Sequence, residues 1–241
     1  MITTLRADLT RIATLRSSYV TTVTLLGLVA AIVAGSLTQA GSAGMTTATQ
    51  LREPLTASTG IMLPVGMALF AAMRVGGEYR YGTMPQRLLA VPRRRPLLAA
   101  MMALHGLLGL LVGILGLAVA TAIAYPMLAG DGLDMDLTAQ TVVAVLYATT
   151  AFSLLGVCCA IIFRSQATAI LVLVGAFVAE KLLGIFIGDA VTYLPYGSLT
   201  PLLRLEGSTV GAGQAAIPLA LTTLALVATA AALFTRRDVT P

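Results

Sequence analysis

The chain has 241 residues, 58% of them hydrophobic and only 10% charged, with a formal net charge of +5 at pH 7. A mean hydropathy of +0.93 excludes an ordinary soluble domain. The positive residues stand at the ends of apolar runs and not on one polar surface, which argues against nucleic acid as a partner and for lipid headgroups. The composition is that of an integral membrane protein, and a single Lys against a surplus of Arg and Ala fits a GC-rich bacterial genome.

In chain order, Ile2, Leu5, Leu9 and Ile12 fall at helical spacing with Arg6, Asp8 and Arg11 turned away. Residues 1–18 therefore predict an amphipathic helix on the inner membrane face, with Arg16 snorkelling at its end. A first span is expected from Tyr19 to Leu37, long enough for about 30 Å of hydrocarbon at about 1.5 Å per residue. A signal peptide with its core from Val20 and a small-residue site near Thr38 to Ala40 is the competing reading, and the long patterned leader argues against it. A polar Gly-, Ser- and Thr-rich loop runs to Pro54. The second span is expected from Leu55 to Val75, kinked at Pro64 with Gly60 and Gly66 nearby.

Residues 76–96, GGEYRYGTMPQRLLAVPRRRP, carry the densest positive charge: Arg80, Arg87, Arg93, Arg94 and Arg95, with Arg74 just before. Such a loop between two spans stays in the cytoplasm. Its middle predicts a short helix, capped by Thr83, tolerant of Pro85 in its first turn and stopped by Pro92. Leu88, Leu89 and Val91 give that helix an apolar side with which to dock a soluble partner. The plainer reading of the same charges is a topology anchor against anionic lipid.

The third span is expected from after Pro96 to about Leu128. Its Gly106, Gly109, Gly113 and Gly116 follow a 3, 4, 3 spacing on one face, which lets another helix, of this chain or a second one, approach closely. An outer loop then carries Asp131, Asp134 and Asp136. The fourth span is expected from Ala139 to Phe163, a tight turn over Arg164 to Gln166 follows, and the fifth runs to about Ile187. Residues 188–214 are too broken for a span and predict an outer, re-entrant hairpin of short half-helices. The sixth span covers Ala215 to Phe234 and ends at Arg236 and Arg237. With these spans all Arg lie inside except Arg52 and Arg204, and Lys181 lies within a span, so both termini are expected in the cytoplasm. Cys158 and Cys159 are neighbours on one helix with diverging side chains, and no disulfide is expected between them.

Glu78, Arg80, Gly82 and Thr83, then Leu88, Pro92, Arg94 and Arg95, form the pattern E-x-R-x-G-T, a leucine-rich helix and P-x-R-R. It resembles the loop after the second span in permease subunits of ABC-2 type transporters. Met84 and Pro85 depart from the apolar residues usual after Gly-Thr. Glu180, Leu182 and Leu183, followed by Tyr193, Leu194 and Pro195, resemble a second pattern of that family, a Glu in the fifth span before an outer hairpin. The resemblance implies one all-α permease domain over residues 1–241 with six spans. It implies a coupling helix that docks on a separate ATP-binding subunit through Glu78, Arg80, Gly82, Thr83, Arg87, Leu88 and Leu89. It further implies export across a bacterial plasma membrane by two permeases, identical or homologous, with ATP and Mg held by the partner subunit and no cofactor in this chain.

The residues themselves agree that ATP is bound elsewhere. A phosphate-binding loop needs a Gly-Lys pair, and the only Lys follows Glu180. One His, His105, makes no metal cluster, and no G-x-S-x-G elbow is present, so an enzyme is not expected. Glu180 and Lys181 are the costliest residues in the apolar runs, since ionised groups within a span each cost a few kcal/mol unless paired or hydrated. Three roles stay open for Glu180: pairing with a neighbouring helix, lining a pathway, or carrying a proton. Thr149, Thr150 and Ser153 are candidates for a polar path, with Tyr193 and Pro195 as gate residues; hydroxyls in helices also commonly bond their own backbone. The rival readings are a proton- or ion-coupled carrier using Glu180, and a noncatalytic membrane sensor or scaffold.

Overall fold

The computed structural model describes residues 16–42, 58–90, 93–130, 138–203 and 211–236, and no strand occurs among them. Eight α-helices follow in order: α1 Arg16–Ser42, α2 Leu63–Arg80, α3 Thr83–Ala90, α4 Arg94–Gly130, α5 Ala139–Phe163, α6 Gln166–Ile187, α7 Leu199–Leu202 and α8 Ala212–Arg236. A π-helical turn, Ser58–Met62, leads into α2, and a 3-10 helix, Gly188–Tyr193, follows α6. Among the described residues five stretches are long and apolar enough to cross a membrane: Thr59–Arg80, Arg94–Pro126, Ala139–Phe163, Gln166–Tyr193 and Ala212–Arg236. The described residues are thus those of a helical, multi-pass membrane protein. Within α1, Thr22–Ser36 forms a shorter apolar helical stretch.

α5 is the hub. It is apolar on every side, as a helix surrounded by other helices must be, and Ala144, Ala148, Phe152, Leu155 and Ala160 are all buried. Small residues decide what packs on it. A Cβ at Gly156 would collide with the Ala68 carbonyl oxygen, so α2 and α5 cross backbone to backbone. The glycine face of α4 meets the same helix: a Cβ at Gly109 would stand 3.0 Å from Ser153, from the Thr149 carbonyl and from Thr150, and one at Gly113 3.0 Å from Leu146. Gly116 instead receives Leu63 of α2. The close partner of the glycine stripe is therefore a helix of this chain. By contrast, α6 buries only Ala169, Leu173 and Glu180 and leaves most of its surface facing outward.

Several expectations meet the structure with changes. α5 and the end of α6 fall where the apolar runs predict them. The turn between them closes in two residues because Arg164 takes a left-handed backbone, φ 51°, while the Ser165 hydroxyl accepts the Thr168 N–H at 3.3 Å and caps α6. The second span does not end at Val75: α2 runs on through Gly76, Gly77 and Glu78 to Arg80, because Gly76 lies against the Gln166 backbone and keeps the helix packed there. Pro64 lies near the start of the continuous helical stretch Thr59–Arg80, and the irregularity expected around it takes the form of the π-turn Ser58–Met62 just before it. The helix of the expected third span, α4, begins at Arg94, two residues before Pro96, and at 37 residues is about 55 Å long. The sixth apolar run is likewise longer than expected, from Ala212 to Arg236. The predicted interfacial helix up to residue 15, the acidic loop with Asp131, Asp134 and Asp136, Val91 and the Pro92 stop, and Arg52 and Arg204 lie outside the described residues. The buried thiols of Cys158 and Cys159 are free.

Candidate functional sites

Two places concentrate polar chemistry, and they lie at opposite ends of the bundle's helices. The first is the α2–α3 corner. Tyr81 closes α2 with its N–H on the Gly77 carbonyl at 2.9 Å, and Gly82 follows with φ +63°, the left-handed position that reverses a chain after a helix at no steric cost. α3 then starts at once. Thr83 does not cap in the expected sense; its hydroxyl donates to the Glu78 carbonyl at 3.3 Å, tying α3 back to α2. Glu78 accepts from Arg87 Nη1 at 2.6 Å, with side-chain exposures of 13% and 18%. This ion pair locks the short helix against the end of the long one.

The pair divides the faces of α3. Met84 is fully buried and Leu88 packs on the core, while Leu89 is 85% exposed and Tyr81 73% exposed, with Arg80 stacked 5.7 Å from the Tyr81 ring centre. Of the residues expected at this corner, Glu78, Thr83, Arg87 and Leu88 hold the helix in place, and Arg80, Gly82 and Leu89 are presented outward. Sequence inspection had no means to separate them, because the separation depends on the hand of the turn at Gly82.

The second place is the junction of α6 with the segment after it. Glu180 is 7% exposed, and its Oε2 accepts two backbone N–H groups, from Tyr196 at 2.8 Å and from Gly197 at 2.9 Å. The partner of the buried carboxylate is thus main chain. Tyr196 continues the attachment: its hydroxyl donates to the Leu173 carbonyl at 2.9 Å, two helical turns or about 10 Å along α6 from Glu180. Its ring lies edge-on to Phe152 at 4.9 Å and to Phe177 at 5.4 Å. A Cβ at Gly197 would collide with the Val191 carbonyl, and the Ser198 hydroxyl donates to the Pro195 carbonyl at 2.8 Å, so the turn is wound too tightly for any other residue at 197. Broken structure after α6 agrees with the expected half-helices, of which Gly188–Tyr193 and α7 are described.

Two cavities flank this junction. One, of about 250 Å³, is lined by Glu180, Lys181, Asp189, Thr192, Gly197 and Thr200. The other, of about 320 Å³, is almost wholly apolar and runs between Cys159, Phe163, Leu173, Tyr196 and Leu226. Lys181 is exposed, with its ammonium 5.9 Å from the Phe177 ring centre. Tyr193 is 61% exposed, and Pro195 borders the apolar cavity. Tyr196 and Gly197, which do the binding, escaped selection from the sequence. The signal available there was a Tyr-Gly-Ser run directly after Leu-Pro, a turn with a polar-tipped aromatic.

The hydroxyls of the fourth apolar run are engaged locally. Thr149 and Thr150 donate to the Val145 and Leu146 carbonyls at 2.7 and 2.8 Å, and Ser153 donates across to the His105 carbonyl at 2.7 Å, gluing α5 to α4. His105 is buried, with Nδ1 2.9 Å from the Met101 carbonyl. No group of three or more metal-ligating side chains occurs among the described residues. The chain matches no protein-family model and no curated protein.

Proposed function

We propose that the chain is the membrane subunit of an ATP-driven exporter of the ABC-2 type, crossing a bacterial plasma membrane six times with both termini in the cytoplasm. The sixth crossing is α1, whose 27 residues would reach across about 30 Å of hydrocarbon if all were helical in the membrane. The observation that carries this reading is α3. An eight-residue helix, pinned between two long apolar helices by Glu78 and Arg87 and offering Leu89 and Tyr81 to the aqueous side, is built to receive a soluble protein and pass its motion on. A lipid anchor would not need an ion pair to fix its helix. In this reading ATP and Mg sit on the partner, this chain hydrolyses nothing, and a second permease completes the pathway. The junction at Glu180 then closes the outer end, with Lys181, Tyr193 and Pro195 around it and Thr149, Thr150 and Ser153 on the helix behind.

Co-expression with the ATP-binding subunit of an adjacent gene tests the reading. The two should copurify and hydrolyse ATP together, and Leu89→Asp should abolish copurification while the permease still inserts. Stable copurification with unchanged ATPase activity in Leu89→Asp would remove α3 from the interface. A proton-coupled carrier would work through Glu180, whose Oε2 already holds two backbone donors, so its proton would have to be carried on Oε1 if the turn at 196–197 is to stay attached.

A further inference from the structure

A groove of about 720 Å³ lies between the first turns of α4 and the last turns of α8, away from both sites described above. Its walls are Leu98, Ala99, Met102, Val227 and Ala231, and Arg95 and Arg236 line it at the start of α4 and the end of α8. Both arginines are exposed. The two helix ends are linked by Arg94, whose Nη1 donates to the Thr235 carbonyl at 3.3 Å. From Arg95 to Met102 the wall extends about 10 Å, and from Val227 to Arg236 about 14 Å. That is close to one leaflet of a hydrocarbon core about 30 Å thick.

We infer that this groove binds one glycerophospholipid with an anionic headgroup, its acyl chain along Leu98, Met102 and Val227 and its phosphate between Arg95 and Arg236. The charge of Arg95 and Arg236 selects the occupant. A second protein helix entering from the membrane would bring no anion to two guanidinium groups, whereas an anionic lipid brings a phosphate at the right height above an apolar tail. The inference requires only that α4 and α8 cross a membrane, and it stands or falls separately from transport.

The test is native mass spectrometry of the full-length protein, delipidated and titrated with phosphatidylglycerol or phosphatidylcholine. The parent should retain one phosphatidylglycerol in preference to phosphatidylcholine. Arg95→Gln and Arg236→Gln should each lower that preference by roughly fivefold and the double variant by roughly twenty-five-fold. Arg93→Gln removes the same charge from an exposed residue that does not line the groove, and should leave the preference intact. Ala99→Trp fills the groove at an exposed wall position and should displace the lipid with both arginines present. Loss of preference in Arg93→Gln equal to that in Arg95→Gln would reduce the effect to general surface charge and overturn the site. So would unchanged retention in Ala99→Trp, or displacement of the lipid by millimolar glycerophosphate, which would make the arginines a site for soluble phosphate.

Discussion

Replacing Glu180 with Ala removes the acceptor for the Tyr196 and Gly197 N–H groups and leaves both donors without it. A buried donor stripped of its partner costs about 1–3 kcal/mol, so two would cost about 2–6 kcal/mol. The cavity of about 250 Å³ beside Gly197 admits water to one of them, which places the loss near the lower end, about 2–3 kcal/mol. At a factor of ten per about 1.4 kcal/mol, opening of the turn should become roughly 30- to 150-fold more frequent. Hydrogen–deuterium exchange in detergent micelles reads this at the amides of residues 196–198, while amides in the middle of α5 serve as the unperturbed reference. Glu180→Gln keeps a single oxygen able to accept both N–H groups and loses only the charge, so exchange should rise about fivefold. Tyr196→Phe tests the other end of the attachment through the Leu173 carbonyl, and should raise exchange about fivefold with Glu180 in place. If the amides of 196–198 in Glu180→Ala exchange at the parental rate, the carboxylate does not hold the turn and the reasoning fails.

Other outcomes follow from the packing and the charges. Gly156→Ala should destabilise the protein by about 1–3 kcal/mol, since its Cβ meets the Ala68 backbone, whereas Gly175→Ala, with nothing within 4 Å, should be neutral or slightly stabilising; thermal loss of the monodisperse peak in size-exclusion chromatography compares them. Glu78→Ala and Arg87→Ala should each loosen α3 by about 1–2 kcal/mol and lower stimulation of the partner's ATPase, and the charge-exchanged double variant should recover part of it. Arg80→Ala, at an exposed position, should lower stimulation without loosening α3, and unchanged stimulation in all of these variants would remove the coupling role. Reporter fusions at either terminus should be active only in the cytoplasm; a C-terminal reporter active outside would require an odd number of crossings.

Hydropathy and charge by themselves placed the helices. The run 139–163 carries no charged residue and Arg164 ends it, so the boundaries of α5 depend on residues adjacent in the chain, and the end of α6 before Gly188 is likewise local. Membrane insertion responds to the length and polarity of a segment, both of which are local properties. Local reasoning erred where a neighbour from elsewhere intervened, as at Gly76, which stays helical because Gln166 packs on it. The glycine stripe of α4 announced a close partner, but only the assembled bundle decided that Gly109 and Gly113 meet α5 while Gly116 meets Leu63 of α2, because many helices are equally apolar and the choice rests on which surface has the matching hollow and protrusion. Glu180 shows the same limit for polar groups. Its cost in an apolar run was visible in the sequence, whereas its partners are two main-chain N–H groups, identical in kind to those of any other residue, and brought within reach only by the turn that Gly197 permits and the Tyr196 ring anchors between Phe152 and Phe177.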